Sequence, residues 1–275
     1  MFKEFVGNFY LKKPATNSFL KMEGSFMKPL NVAMTAICAT LYAVVGRLTD
    51  LGITFLGVAF WPAAFIPAVF SVLFGPLVGG MGAAIGIFIR DMLFHGDALL
   101  SLSAGVTANF AGFYILGYIA RTGLNWKRIG LSTAIGGTTI AAGLLLPTLL
   151  LPKEFQSFTG LPSLEIVLIF IATVIVSISM IMVVAEFWPE WRSYGIGSVI
   201  GLGVGSAIIA LVVWAYSQIF FGPNAYFKQP IQTSLIPIIF VWTFTTEIPF
   251  ILLLGPPIIK ACRKAFPSIT RKESE

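Results

Sequence analysis

Long apolar runs alternate with short polar breaks along nearly the whole chain. Each run holds about 20 residues, enough to cross a hydrocarbon core of about 30 Å as a helix. The strands of a membrane barrel would give short alternating segments instead. The pattern predicts eight spans, at residues 29–46, 62–74, 77–94, 102–119, 129–151, 164–187, 194–221 and 235–259. Residues 51–61 are apolar but too short to span, and two glycines and a following proline argue against a regular helix there. They are expected to fold back over the membrane face as a loop that caps a binding site. Non-helical backbone at that depth survives only where protein buries it or a cavity meets it.

Small residues recur at helical spacing. Ala33, Ala36, Ala39 and Ala43 punctuate the first span, and Gly79, Gly82 and Gly86 the third. Gly197, Gly201 and Gly205 repeat every four residues in the seventh. Such stripes let helices approach closely, the main route to association in lipid. On the first span the stripe serves either internal packing or the docking of a partner, through Ala36, Ala39 and Ala43. The second and third spans meet at one tight break, Phe74-Gly75-Pro76, and the third ends on the adjacent pair Arg90–Asp91.

Composition agrees with the pattern. Of 275 residues 57% are hydrophobic and only 11% charged, against about 25% charged in soluble domains. The formal net charge of +6 points to basic cytoplasmic loops rather than to nucleic acid. With the N-terminus inside and eight spans, 14 of the 18 basic residues fall on the cytoplasmic side. Only Arg47, Arg90, Lys153 and Lys228 fall outside. The expected organisation is a cytoplasmic tail at 1–28, one transmembrane helical domain at 29–260 and a basic cytoplasmic tail at 261–275. No A-x-A-like cleavage site follows residues 1–28, so no cleaved signal is expected. Phe2, Phe5, Phe9, Tyr10 and the neighbouring lysines fit a surface helix or a mobile tail equally.

Ionisable groups inside spans are costly and usually functional. Arg47, Asp50, Arg90, Asp91, His95 and Asp97 gather at the outer face, and Glu247 lies near mid-membrane. Glu247 should pair with Arg90 or Arg47, or accept hydrogen bonds. Asn109 needs partners of its own in the fourth span. Phe60, Trp61 and Tyr114 would stack on a heteroaromatic ring, and Trp61 equally suits an interfacial anchor. The candidate substrate-binding set is therefore Arg47, Asp50, Phe60, Trp61, Arg90, Asp91, His95, Asn109 and Glu247. The arginines suit a carboxylate or phosphate, the acids a cationic ring.

Catalytic signatures are missing. There is no G-x-x-x-x-G-K-[ST], HExxH or GxSxG motif. His95 is the single histidine and there is no CxxC, so neither a metal site nor a cofactor is expected. Cys38 and Cys262 lie too far apart in the pattern to form a disulfide. An enzyme built on His95, Asp91 and Asp97 lacks a placed nucleophile. No voltage-sensor ladder, selectivity filter or clear half-to-half repeat is present. A stand-alone secondary transporter or channel using Glu247 as an ion or proton site stays open beside a substrate-capture protein.

The order of features resembles the substrate-binding (S) component of energy-coupling factor (ECF) transporters. Four places carry the resemblance: Ala-Ile-Cys-Ala-Thr-Leu-Tyr-Ala (36–43) with its A-x-x-x-A pattern, and Leu-Phe-Gly-Pro-Leu-Val-Gly-Gly (73–80) with the family's FGPxxG turn; then Asp91 ending a helix, and Ala-Asn-Phe-Ala-Gly-Phe (108–113). Together they cover roughly residues 30–125. The resemblance implies an all-α, six-helix core, here with two further helices, in the plasma membrane with both termini cytoplasmic. It implies high-affinity capture of a vitamin-like nutrient beneath a loop between the first two helices, residues 51–61. It also implies docking of Ala39 and Ala43 on a transmembrane coupling protein, with two separate ATPases driving uptake. The extra length departs from the family and falls among residues 129–221.

Overall fold

The computed structural model describes residues 29–122 and 188–266, together with helical residues 172, 175–177, 179, 184 and 187. Among these, five helices are long and apolar enough to cross a membrane. The chain is a mostly helical, multi-pass membrane protein. Helix α1 is Pro29–Thr49. A loop then carries a small hairpin, β1 (Thr54–Phe55) against β2 (Val58–Ala59). A turn at Pro62–Ala64 leads into α2, Phe65–Phe74. Helix α3 is Pro76–Phe94, and α4 is the continuous helical stretch Ala98–Thr122. Helix α5 is Arg192–Ile219 and α6 is Ile236–Ala265.

Six of the expected spans thus fall on helices. The spans expected at 129–151 and, for the most part, at 164–187 lie outside the described residues, as do the tails at 1–28 and 267–275. Helices α1, α4 and α6 run past their expected ends, α2 and α3 end where expected, and α5 stops at Ile219. Helix α6 continues through Pro256 and Pro257 to Ala265.

Successive helices alternate in direction. The connections at 50–61, 95–97 and 220–232 share one end of the bundle, the loop end. The opposite end carries Arg121, Arg192, Lys260, Arg263 and Lys264. The α2–α3 turn lies at this basic end. Gly75 takes φ 110°, a region closed to residues with a Cβ, and Pro76 starts α3 with its φ already set.

The small-residue stripes seat helix on helix. A Cβ on Gly86 would lie 2.7 Å from the Ala39 carbonyl oxygen, and one on Gly112 would lie 3.1 Å from that of Gly201. These approaches join α3 to α1 and α4 to α5 with almost no side chain between them. In consequence Ala39 and Ala43 are buried within the bundle, while Ala36 is exposed. Helix α6 has a different device. Pro249 has no N–H, so the Thr245 carbonyl lacks its helical partner. The Ser177 hydroxyl donates to that oxygen at 3.1 Å.

Counted from Pro62, the second span is only about 20 Å long at 1.5 Å per residue. That falls short of a 30 Å core, so the chain before it dips into the protein at the loop end. The hairpin fills this place. Leu56 (φ 46°) and Gly57 (φ 84°) form its two-residue, left-handed turn, the geometry that matches the twist of a short hairpin. Leucine rarely takes a positive φ, so Leu-Gly is no hairpin signal, and the expected loop carries a strand pairing that its residues did not announce.

Candidate functional site

Below the hairpin lies a cavity of about 80 Å³. Gly57, Val58 and Ala59 line it from the hairpin. The hairpin is fixed from outside. The Trp242 indole N–H donates to the Val58 carbonyl at 3.1 Å, and Phe55 packs on the Trp242 ring. Leu56, Phe227 and Ile231 complete an apolar cluster around them. Tyr226, in the 220–232 connection, reaches the Gly57 carbonyl at 3.5 Å and packs on the His95 ring. Burial raises the Tyr226 phenol above its ordinary value of 10.0; Arg90 opposes the shift, and Asp91 and Asp97 add to it.

One wall of the cavity is a buried ion cluster. Arg90 donates to Asp50 Oδ2 at 3.1 Å and to Asp91 Oδ1 at 3.2 Å. Its guanidinium lies 4.9 Å from the Trp61 ring and 4.4 Å from the Phe94 ring. Asp50 also accepts from Arg47 at 3.1 Å and from the Gly52 backbone N–H at 3.1 Å. Asp91 Oδ2 accepts from the Ser101 hydroxyl at 2.7 Å. Each carboxylate is therefore multiply satisfied, the condition under which buried charges are tolerated. Arg90, Asp50 and Asp91 are all buried, whereas the Arg47 side chain is 56% exposed.

His95 closes this wall. Its Nδ1 accepts from the Asp97 backbone N–H at 3.0 Å, so in the neutral ring the proton belongs on Nε2. Nε2 lies 3.6 Å from Asp91 Oδ1, an electrostatic contact rather than a hydrogen bond. Asp97 caps the start of α4 through the Leu100 N–H and accepts from the Tyr216 hydroxyl at 2.7 Å.

The floor is different in character. The Tyr42 hydroxyl donates to Asn109 Oδ1 at 2.6 Å, and the Asn109 amide donates to the Gly105 carbonyl at 2.9 Å. Glu247 and Thr243 face the same space from α6. Among the described residues Glu247 has neither an ion-pair partner nor a hydrogen bond. A second, deeper cavity of about 20 Å³ shares Asn109, Ile209, Thr243 and Glu247 with the first, and Ser206 lines it. The Ser206 hydroxyl is buried without a partner among the described residues.

The structure brings six of the nine candidate residues to the cavity: Trp61, Arg90, Asp91, His95, Asn109 and Glu247. Asp50 stands behind Arg90 and orients it. Arg47 lies outside, over Phe94. Phe60 points away and packs edge-on against Phe250, and Tyr114 stacks on Phe110. The expected pairing of Glu247 with Arg90 or Arg47 does not form, because Asp50 and Asp91 already hold both arginines. Tyr42, Ser101 and Thr243 were not among the candidates. They lie in long apolar runs, and only the crossing of α1, α4 and α6 turns them inward.

No family model, curated protein or solved structure matches this chain. The site must therefore be interpreted from its own geometry. Among the described residues no group of three or more His, Cys, Asp or Glu is arranged to hold a metal ion. The cavity joins aromatic walls to fixed polar groups, an arrangement suited to binding a small polar molecule.

Proposed function

We propose that this chain is the membrane-embedded, high-affinity binding subunit of an uptake system for a vitamin-like nutrient. It sits in the plasma membrane with both termini in the cytoplasm and carries no catalytic site or cofactor. Separate coupling and ATPase subunits energise it, as in the ECF transporters that its sequence resembles. The observation that carries the proposal is the hairpin-roofed cavity at the loop end. It joins aromatic walls to a few fixed polar groups, the make-up of small-molecule sites. Its roof is a short segment held by side chains from the 220–232 connection and α6, so it can open without unfolding a helix.

Charge supports the orientation. The basic end carries five lysines and arginines within the described residues, and the loop end carries Arg47, Arg90 and Lys228. Basic residues favour the cytoplasmic side, which turns the cavity outward. Two of the three loop-end cations are tied to Asp50. Of the three alanines assigned to docking, Ala36 is the one exposed for a coupling protein.

Thermal unfolding of the purified protein against a panel of vitamins and their precursors tests the proposal. A true ligand raises the midpoint, and Trp61→Ala or Asn109→Ala abolishes that rise. Absence of any stabilising compound, together with unchanged uptake in cells carrying Trp61→Ala, removes the proposal. The deeper cavity beyond Glu247 favours a second reading, a stand-alone transporter that uses Glu247 as an ion or proton site. Flux through liposomes containing this chain alone, lost in Glu247→Gln, would establish it instead.

A further inference from the structure

We infer that the cavity selects a small organic cation, whose positive centre is held by Glu247. The inference rests on the reading of the cavity as a nutrient site and adds the charge of the nutrient. The sequence left that charge open, because arginines and acids gather at the same face. The structure sorts them into pairs. Arg47 and Arg90 balance Asp50 and Asp91 through contacts of 3.1–3.2 Å. His95 turns Nδ1 to the Asp97 backbone N–H. Tyr42, the other titratable group on the floor, is committed to Asn109 through its proton. Asp97 lies outside the cavity, held by the Leu100 N–H and the Tyr216 hydroxyl. Glu247 remains as the acid that faces the cavity without a partner among the described residues.

Its surroundings leave room for a counter-ion. Glu247 lines both cavities, and Asn109 and Thr243 beside it supply oxygens. A carboxylate in a span is costly unless paired, so a cation that enters the cavity recovers what burial has cost. A metal ion of the calcium type asks for six to eight oxygen ligands, and no such cluster forms among the described residues. Tyr42 and Trp61 line the same space, and aromatic walls favour organic cations.

The other end of the cavity fixes the orientation of the guest. Arg90 Nε and the Trp61 indole N–H are buried and lack hydrogen-bond partners among the described residues. Both are donors. A ligand that places its cationic centre at Glu247 and an acceptor oxygen or ring nitrogen towards the roof satisfies both ends. An anionic ligand in the same pose would set a second acid against Glu247.

Binding to the full chain in lipid nanodiscs, measured with charge-matched pairs, tests this. The probes are choline against 3,3-dimethylbutanol, 1-methylnicotinamide against nicotinamide, and thiamine, alongside neutral and anionic vitamins. The expected result is that the tightest binders are cations, each at least about tenfold tighter than its neutral isostere. Glu247→Gln should lower cation affinity by about tenfold or more, as expected for losing a desolvated charge partner, and leave the neutral members unchanged. Retained thermal stability in Glu247→Gln, and partial recovery in Glu247→Asp, separate this from misfolding. Preference for an anionic or neutral vitamin, or binding of sodium alone, overturns the inference. In the vitamin case the nutrient-site reading survives. Absence of binding by any probe or vitamin overturns both.

Discussion

Alanine at position 46 would drive its Cβ into the Cζ2–Cη2 edge of the Trp61 ring. The nearest atoms to that Cβ would be Trp61 Cζ2 and Cη2, well within van der Waals contact. Trp61 is only 4% exposed and cannot retreat into solvent. It also bears on Arg90 at 4.9 Å and meets Tyr42 edge-on at 5.5 Å. Overpacking of this kind costs about 1–3 kcal/mol. Losing the Tyr42 edge contact adds roughly 0.5–1.5 kcal/mol. Gly46→Ala should therefore destabilise the protein by about 2–4 kcal/mol in reversible detergent unfolding. Trp61→Phe removes the very ring that clashes. The double variant Gly46→Ala, Trp61→Phe should thus be more stable than the sum of the single effects by at least about 1 kcal/mol, measured as a double-mutant cycle. Ligand affinity should fall in Gly46→Ala and recover in part in the double variant. Strict additivity of the two single changes would refute the packing argument, because independent sites do not couple.

Three further outcomes follow from the same geometry. Asp50→Asn strips Arg90 and Arg47 of a shared carboxylate and should cost about 3–5 kcal/mol, as breaking a buried pair does; equilibrium unfolding measures it. Gly201→Val should disrupt the α4–α5 crossing, since a Cβ there would meet the Gly112 carbonyl and lie 2.9 Å from the Leu116 nitrogen; loss of the folded, monodisperse protein in size-exclusion chromatography reports it. Tyr226 has a raised pKa, so the folded state holds its proton more tightly than the unfolded state. Its contribution is complete below the ordinary value of 10.0 and is lost as pH rises through the higher folded value. Hydrogen exchange across residues 54–59 should accelerate above that pH in the native protein and show a weaker dependence in Tyr226→Phe.

Much of the scaffold was legible because lipid imposes a strong pattern. Span positions follow from apolar length alone, and the Gly75–Pro76 turn from backbone chemistry. The Gly82–Gly86 and Gly197–Gly205 stripes marked the close crossings, though not which helix each would meet. Ala39 and Ala43 show that gap. Their spacing fits packing or docking equally, and only the partner, Gly86 on α3, turns Ala39 inward. The pairing of Arg90 with Asp50, 40 residues away, was not legible. It needs α1 and α3 to run parallel and end at one depth, which no local pattern states. Glu247 was recognisable as an anomaly in its span, but its lack of a partner among the described residues depends on which acids claim the arginines. Tyr42, Ser101 and Thr243 gave no signal, since polar atoms on otherwise apolar helices announce nothing until the crossings orient them.

The first turns of α4, Ser101–Val106, are wound as a π-helix. A π turn stores one residue more than an α turn. Rewinding this segment to α geometry would rotate everything before it by about 100°, one residue's share of a 3.6-residue turn. Ser101 would leave Asp91, while Asn109, beyond the segment, would keep Tyr42. The rim of the cavity and its floor thus sit on one helix with a slipping clutch between them. A rearrangement at the roof, where ligand enters, would reach the floor only through the Gly105 carbonyl, to which Asn109 donates and which lies within those six residues.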